Sequence, residues 1–162
     1  MKLISAFLRS NSFFNVSNEH VSMFIVEKGE VIEKGDFVVV NTRTLLARKP
    51  VEKSGYFTVG VAAKIIDQAD GNQAVICVDG CHMLYDTSKN ISESDIGRAC
   101  YFLGKNSVTL DNINKTKAGI IEGIEVSDDP IDIEDGTDRI VWVKNNLTEG
   151  RDLAVSYTHL TL

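Results

Sequence analysis

The chain has 162 residues, 43% of them hydrophobic and 25% charged, with a formal net charge of −6. That length predicts one domain with a buried core, and the acidic balance argues against a phosphate-tracking surface, because nucleic-acid affinity rests on clustered Lys and Arg. No stretch approaches the roughly 18 to 20 continuous apolar residues of a membrane-spanning helix, and three cysteines at irregular spacing fit a reducing compartment better than a disulfide framework.

The opening stretch MKLISAFLRS has apolar residues, but Arg9 cuts the run short of a signal-peptide core, which implies synthesis in the cytoplasm. Residues 1–23 have no clean hydrophobic period and two Asn-Ser clusters. They read either as a strand folded onto the body of the protein or as a partly extended arm that orders on a partner.

Next comes VEKGEVIEKGDFVVV, where Gly29 and Gly35 flank an apolar Ile32. The spacing resembles the first half of a biotinyl or lipoyl carrier, in which glycines provide positive-φ turns between short strands. A carrier also needs an acceptor lysine on a following hairpin, and no lysine occurs between Lys34 and Lys49. The plainer reading is a strand entered through a Glu-Lys-Gly-Asp turn.

From Phe24 to Leu147 the pattern is one of short β-branched and aromatic runs separated by Gly, Asn and Asp. Strands are predicted at SMFIVE, DFVVVN, YFTVGVAAKII, QAVICVD, CHMLYD, ACYFLG, SVTLD, AGIIEGIEV and DRIVWVK, with turns at ADGN, VDGC, LGKN and EDGT. Only SESDIGRA suggests a helical turn, with Ser92 as its N-cap. The predicted fold is therefore mainly β: a single-domain barrel or sandwich of short antiparallel strands.

Within this region, CVDGCH places Cys77, Cys81 and His82 close together, with Cys100 further on. If Asp79-Gly80 forms a two-residue hairpin turn, Val78 faces Cys81 and Cys77 faces His82. Cys81 then points to the opposite face from the Cys77/His82 pair. One zinc ion cannot collect all three, so no metal site is expected. The same register gives the hairpin two apolar faces, one with Ile76, Val78, Cys81 and Met83, the other with Val75, Cys77, His82 and Leu84. Such a hairpin is central in the fold, or one face is covered by another subunit.

SDDPIDIEDGTD holds six acids in twelve positions but misses the calcium-loop pattern, because counting back from Gly136 puts Ile131 where the first aspartate belongs. It reads as a solvated acidic loop. Residues 148–162 form a tail, of which VSYTHLTL (residues 155–162) looks like the translation of a sequencing-adapter sequence and is set aside from fold reasoning.

No G-x-S-x-G, H-E-x-x-H or P-loop motif is present. The remaining enzymatic reading, Cys77 as nucleophile with His82 as base, depends on their facing one another across the hairpin. The chain is expected not to be an enzyme and to need no cofactor.

The order KGDFVVV, YFTVGVAAKII, GNQAVICVDGCHMLYD, ISESDIGRACYFLGKNSVTL, KAGIIEGIE, DRIVWVK resembles the small phage capsid-cement, or head-decoration, family. The shared features are Gly35-Asp36 at a strand start, the GVA step at Gly60 to Ala62, Val-Asp-Gly at Val78 to Gly80, the IGRA step at Ile96 to Ala99, and a strand closing near Val108 to Leu110. The N-terminal segment is longer than that pattern requires, and KAGIIEGIEVSDDPIDIEDGTDRIVWVK adds a further hairpin. The resemblance implies a homotrimer on the exterior of the virion, made in the host cytoplasm, with the major capsid protein as partner; the acidic balance and the lack of a long apolar run give the further expectation that neither nucleic acid nor membrane is bound. The arm containing Phe13 and Phe14 is then expected to reach the shell, either as an added strand or through these two aromatic anchors.

Overall fold

The structure is a computed structural model and describes residues 21–126 and 139–145. The protein is mainly β, and the described residues form two antiparallel five-stranded sheets. In chain order the strands are β1 (Val21–Ile25), β2 (Phe37–Asn41), β3 (Ala47–Arg48), β4 (Tyr56–Asp67), β5 (Gln73–Val78), β6 (Gly80–Asp86), β7 (Ala99–Phe102), β8 (Val108–Thr109), β9 (Lys117–Val126) and β10 (Arg139–Asn145). Nine of them fall on the predicted runs. The tenth, β3, has only two residues, too few for any side-chain period to register.

The first sheet has the order β1-β5-β4-β2-β3 and the second β6-β10-β9-β7-β8. Numbered from its own first strand, each is 1-5-4-2-3. The agreement extends to single residues. β4 bulges against β2 between the pairs Val39↔Thr58 and Val38↔Gly60, and β9 bulges against β7 between Tyr101↔Lys117 and Cys100↔Gly119. A second bulge follows in each, where the register to β5 shifts between Ala62 and Lys64 and the register to β10 skips Glu122 between Ile121 and Gly123. The backbone ties match as well: Gly35 N and Ala62 N exchange bonds with Ala62 O and Asp36 O, while Gly97 N and Ile121 N exchange them with Ile121 O and Arg98 O. Each sheet curls until one parallel bridge joins its two edges, Val26↔Ala47 in the first and Tyr85↔Ser107 in the second. The described residues thus repeat one curled five-stranded unit in tandem, a structural duplication of β1–β5 by β6–β10. Its sequence trace is faint: Gly60 corresponds to Gly119, Ile65 to Ile124 and Val75 to Val141.

The duplication overturns the predicted Asp79-Gly80 hairpin. β5 pairs with β1 on one side and β4 on the other, so neither edge is free for β6, which pairs with β10 instead. The chain changes sheet at Asp79, the single residue between β5 and β6, and Gly80, at φ 148°, takes up the turn. Val78 does not face Cys81, and Cys77 does not face His82.

The hydrophobic core has two parts. Val26, Ile32, Val38, Val40, Ala47, Phe57, Val59, Ala62, Val75 and Cys77 fill the first unit. Leu84, Ile91, Cys100, Phe102, Val108, Ala118, Ile121, Val141 and Val143 fill the second, completed by Phe37, Val39 and Val61 from the outer face of the first sheet. The loop before β7 holds the predicted helical turn, a single 3₁₀ turn at Glu93–Asp95 with Ser92 as N-cap. There the Asp95 carboxylate accepts from Ser92 N at 2.9 Å while Asp95 N donates to Ser92 O at 2.8 Å. Upstream, the fully buried Asp86 accepts from Ser88 N, Ser88 Oγ and Lys89 N through Oδ1 and from Ile91 N through Oδ2. Four bonds to one carboxylate offset its desolvation and fold the loop over the core.

Candidate functional site

The glycine motifs converge on the seam between β2, β4 and the β5–β6 link. A β-carbon at Gly60 would lie 2.1 Å from the carbonyl oxygen of Val78, so the GVA and Val-Asp-Gly steps touch backbone to backbone. Gly35 and Asp36 clasp Ala62 from the other side. In the second unit Gly119 meets the carbonyl of Lys144 in the same way, at 2.4 Å for an added β-carbon.

The Glu-Lys-Gly-Asp turn forms as read, with Asp36 N donating to Glu33 O and Glu33 N to the Asp36 carboxylate. Ile32, between Gly29 and Gly35, is buried in the first unit's core.

Cys77, Cys81, His82 and Cys100 are dispersed. Cys77 is buried in the first unit and Cys100 in the second, while Cys81 is exposed on the outside of β6. Among the described residues no group of three or more His, Cys, Asp or Glu is placed to hold a metal ion. Burial pushes the Cys100 thiol up to about 12 and Cys77 further still. Cys81 is also raised, first by desolvation, then by Glu122, against the opposing pull of Lys144. All three shifts disfavour the nucleophilic thiolate. The proposed Cys77/His82 pair does not form, because the two lie in different sheets.

His82 points into the second unit, with its ring edge-on to Phe37 at 5.7 Å between centroids. Its Nε2 is buried without a hydrogen-bond partner, and burial lowers its pKa to about 4, partly opposed by Asp79. It is a neutral packing residue at neutral pH. At the corresponding place in the first unit stands Ser22, whose Oγ is likewise buried and unpartnered.

Phe13, Phe14, the acidic segment SDDPIDIEDGTD with its EDGT turn, and the tail all lie outside the described residues. Among the described residues no helix is long and apolar enough to cross a membrane. No protein-family model, curated protein or solved structure matches the chain.

Sequence reasoning placed Met83 on an apolar face that another subunit could cover, but it did not assemble the surface to which Met83 belongs. The outer face of the second sheet carries Ala99, Tyr101, Ile120, Trp142 and Met83, all partly or largely exposed. Trp142 and Met83 are directly paired across β10 and β6, and the indole Nε1 donates to Glu125 at 2.6 Å. The only signal in the sequence was a loose alternation in β6, β9 and β10, blurred by the bulges in β9.

Proposed function

We propose that this chain is a structural protein of a phage virion that binds the outer surface of the assembled head and stabilises the shell by bridging capsomers, with the major capsid protein as its partner. What supports the reading is the position of the residues that carry the family resemblance. Gly35-Asp36, Gly60 to Ala62 and Val78 to Gly80 meet at one backbone seam where an added β-carbon at Gly60 would come within 2.1 Å of a carbonyl oxygen. The IGRA step repeats the clasp around Ile121. Short motifs that coincide with such junctions encode backbone geometry, and their order therefore supports the resemblance more than scattered small residues would.

The physical role is linkage. A protein that binds the closed lattice but not free shell subunits shifts assembly towards the closed state. A homotrimer engaging several capsomers adds avidity without strong single contacts. In this reading the protein is made in the host cytoplasm, resides on the capsid exterior and acts through its surfaces, with Phe13 and Phe14 as shell anchors.

The test is cosedimentation of the purified chain with expanded heads. The full chain is expected to pellet with heads and to raise their thermal disruption temperature, and a chain lacking the residues before Glu19 to do neither. A full chain that stays in the supernatant at saturating heads overturns the reading.

A further inference from the structure

The two units are joined asymmetrically. The first unit presents the outer face of its sheet to the second, and Phe37, Val39 and Val61 are only 4%, 0% and 9% exposed there. Phe37 packs edge-on against both His82 and Phe102, at 5.7 and 5.6 Å. Polar contacts frame the apolar centre: Thr58 Oγ1 donates to Lys117 O, Thr116 Oγ1 to Lys53 O, and Ser54 Oγ to Asn114 Oδ1.

The matching registers identify the same face on the second unit. Ala99, Tyr101 and Ile120 stand where Phe37, Val39 and Val61 stand in the first. Gly55 and Asn114, at φ 98° and 54°, occupy the same turn position, which sets Ile113 in the place of Ser54. Yet Ile113 is 73% exposed, Met83 is 42% exposed, and Ala99, Tyr101, Ile120 and Trp142 are only half-buried. Ala99, Tyr101 and Ile120 therefore leave open what the first unit buries as Phe37, Val39 and Val61, whereas the places of Ile113, Met83 and Trp142 are held in the first unit by exposed Ser54, exposed Met23 and half-buried Ile76.

We propose that this open face is an interface with another copy of this chain. The duplication argues for the occupant, because the one surface known to cover this face of the unit is a second unit of the same fold. Charge fits a like partner too. Lys117 and Lys144 share the face with Glu122 and Glu125, a balanced set that selects neither a basic nor an acidic surface. Exposed apolar side chains gathered on one sheet face are the usual mark of association, and a face that pairs unit with unit inside the chain continues the same joint between chains. The head-decoration reading already calls for a homotrimer; this inference adds the face that the copies share, and its test uses the chain alone, without heads, so that the two can fail separately.

The experiment is sedimentation velocity with light scattering on the full chain across roughly 10 to 100 µM. Wild type is expected to associate. Ile120→Glu and Tyr101→Glu are expected to weaken association at least about tenfold, since a charge buried without a partner opposes the contact. Ala99→Glu, at the place of the buried Phe37, serves if either variant unfolds by circular dichroism. Val31→Glu changes an exposed residue of the first unit, 63% accessible, and is expected to leave association intact. A wild-type chain monomeric throughout, including one that binds a shell protein through this face, overturns the proposal. So does an oligomer that none of the three face variants weakens.

Discussion

Gly60 has no room for a side chain. With φ at 117° and a virtual β-carbon 2.1 Å from the Val78 carbonyl oxygen, alanine there faces both backbone strain and a collision with main chain that β5 holds in place. Gly119 repeats the collision with Lys144 O. Gly71 is the internal comparison: it also has positive φ, 88°, but nothing lies within 4 Å of an added β-carbon. Gly60→Ala and Gly119→Ala are expected to cost about 3 kcal/mol or more, and Gly71→Ala about 1 kcal/mol from conformational strain alone. Urea denaturation of the three variants checks this, and equal losses at Gly60 and Gly71 would contradict the close approach. His82 gives a prediction of another kind. Its folded pKa, about 4, lies below the unfolded value near 6.5. Between those values the unfolded chain binds the extra proton, so the contribution of His82 is fully present above pH 6.5 and drains away as pH falls towards 4. The loss at full extent is at most about 3 kcal/mol. His82→Leu is expected to flatten this part of the stability–pH curve, and an unchanged slope would mean that His82 is not protonated on unfolding.

At the scale of elements, the sequence was legible wherever the signal is local. Nine strands, the ADGN and LGKN turns and the Ser92-capped turn depend on neighbours within a few residues, and each forms where its residues predict. Pairing is non-local, and there the reading failed. Asp79-Gly80 carries the composition of a hairpin turn, but β1 and β4 occupy both edges of β5, and no local pattern reports an occupied edge. The duplication was obscured for a related reason. Bulges and register are kept by backbone contacts, which demand glycine at Gly60 and Gly119 but tolerate Phe24 against Leu84 or Ile76 against Trp142. The candidate site fared likewise. Cys77, Cys81, His82 and Cys100 are close in sequence order yet divided between two cores and one outer face, whereas the open face is assembled from four strands and one loop.

At the scale of the molecule, the consequence of the joint is cooperativity. The second unit's core is incomplete without Phe37, Val39 and Val61, so that unit cannot close its interior once the first has unfolded. A chain of two units joined by a polar seam melts in two steps, while a shared apolar core predicts one. Phe37 is the residue to remove, because its ring reaches both His82 and Phe102. Phe37→Ala is expected to cost about 3–5 kcal/mol and to lower amide protection in β6 and β7 more than in β4 and β5. Opening that space also rehydrates His82, so its pKa should climb from about 4 back towards the ordinary imidazole range. Calorimetry on the wild type should return equal calorimetric and van't Hoff enthalpies, and a nuclear magnetic resonance titration of His82 in the variant should follow the upward shift. Two wild-type transitions, or a Phe37→Ala protein whose His82 still titrates near 4, would show that each unit closes its own core and that the joint is a contact between finished domains.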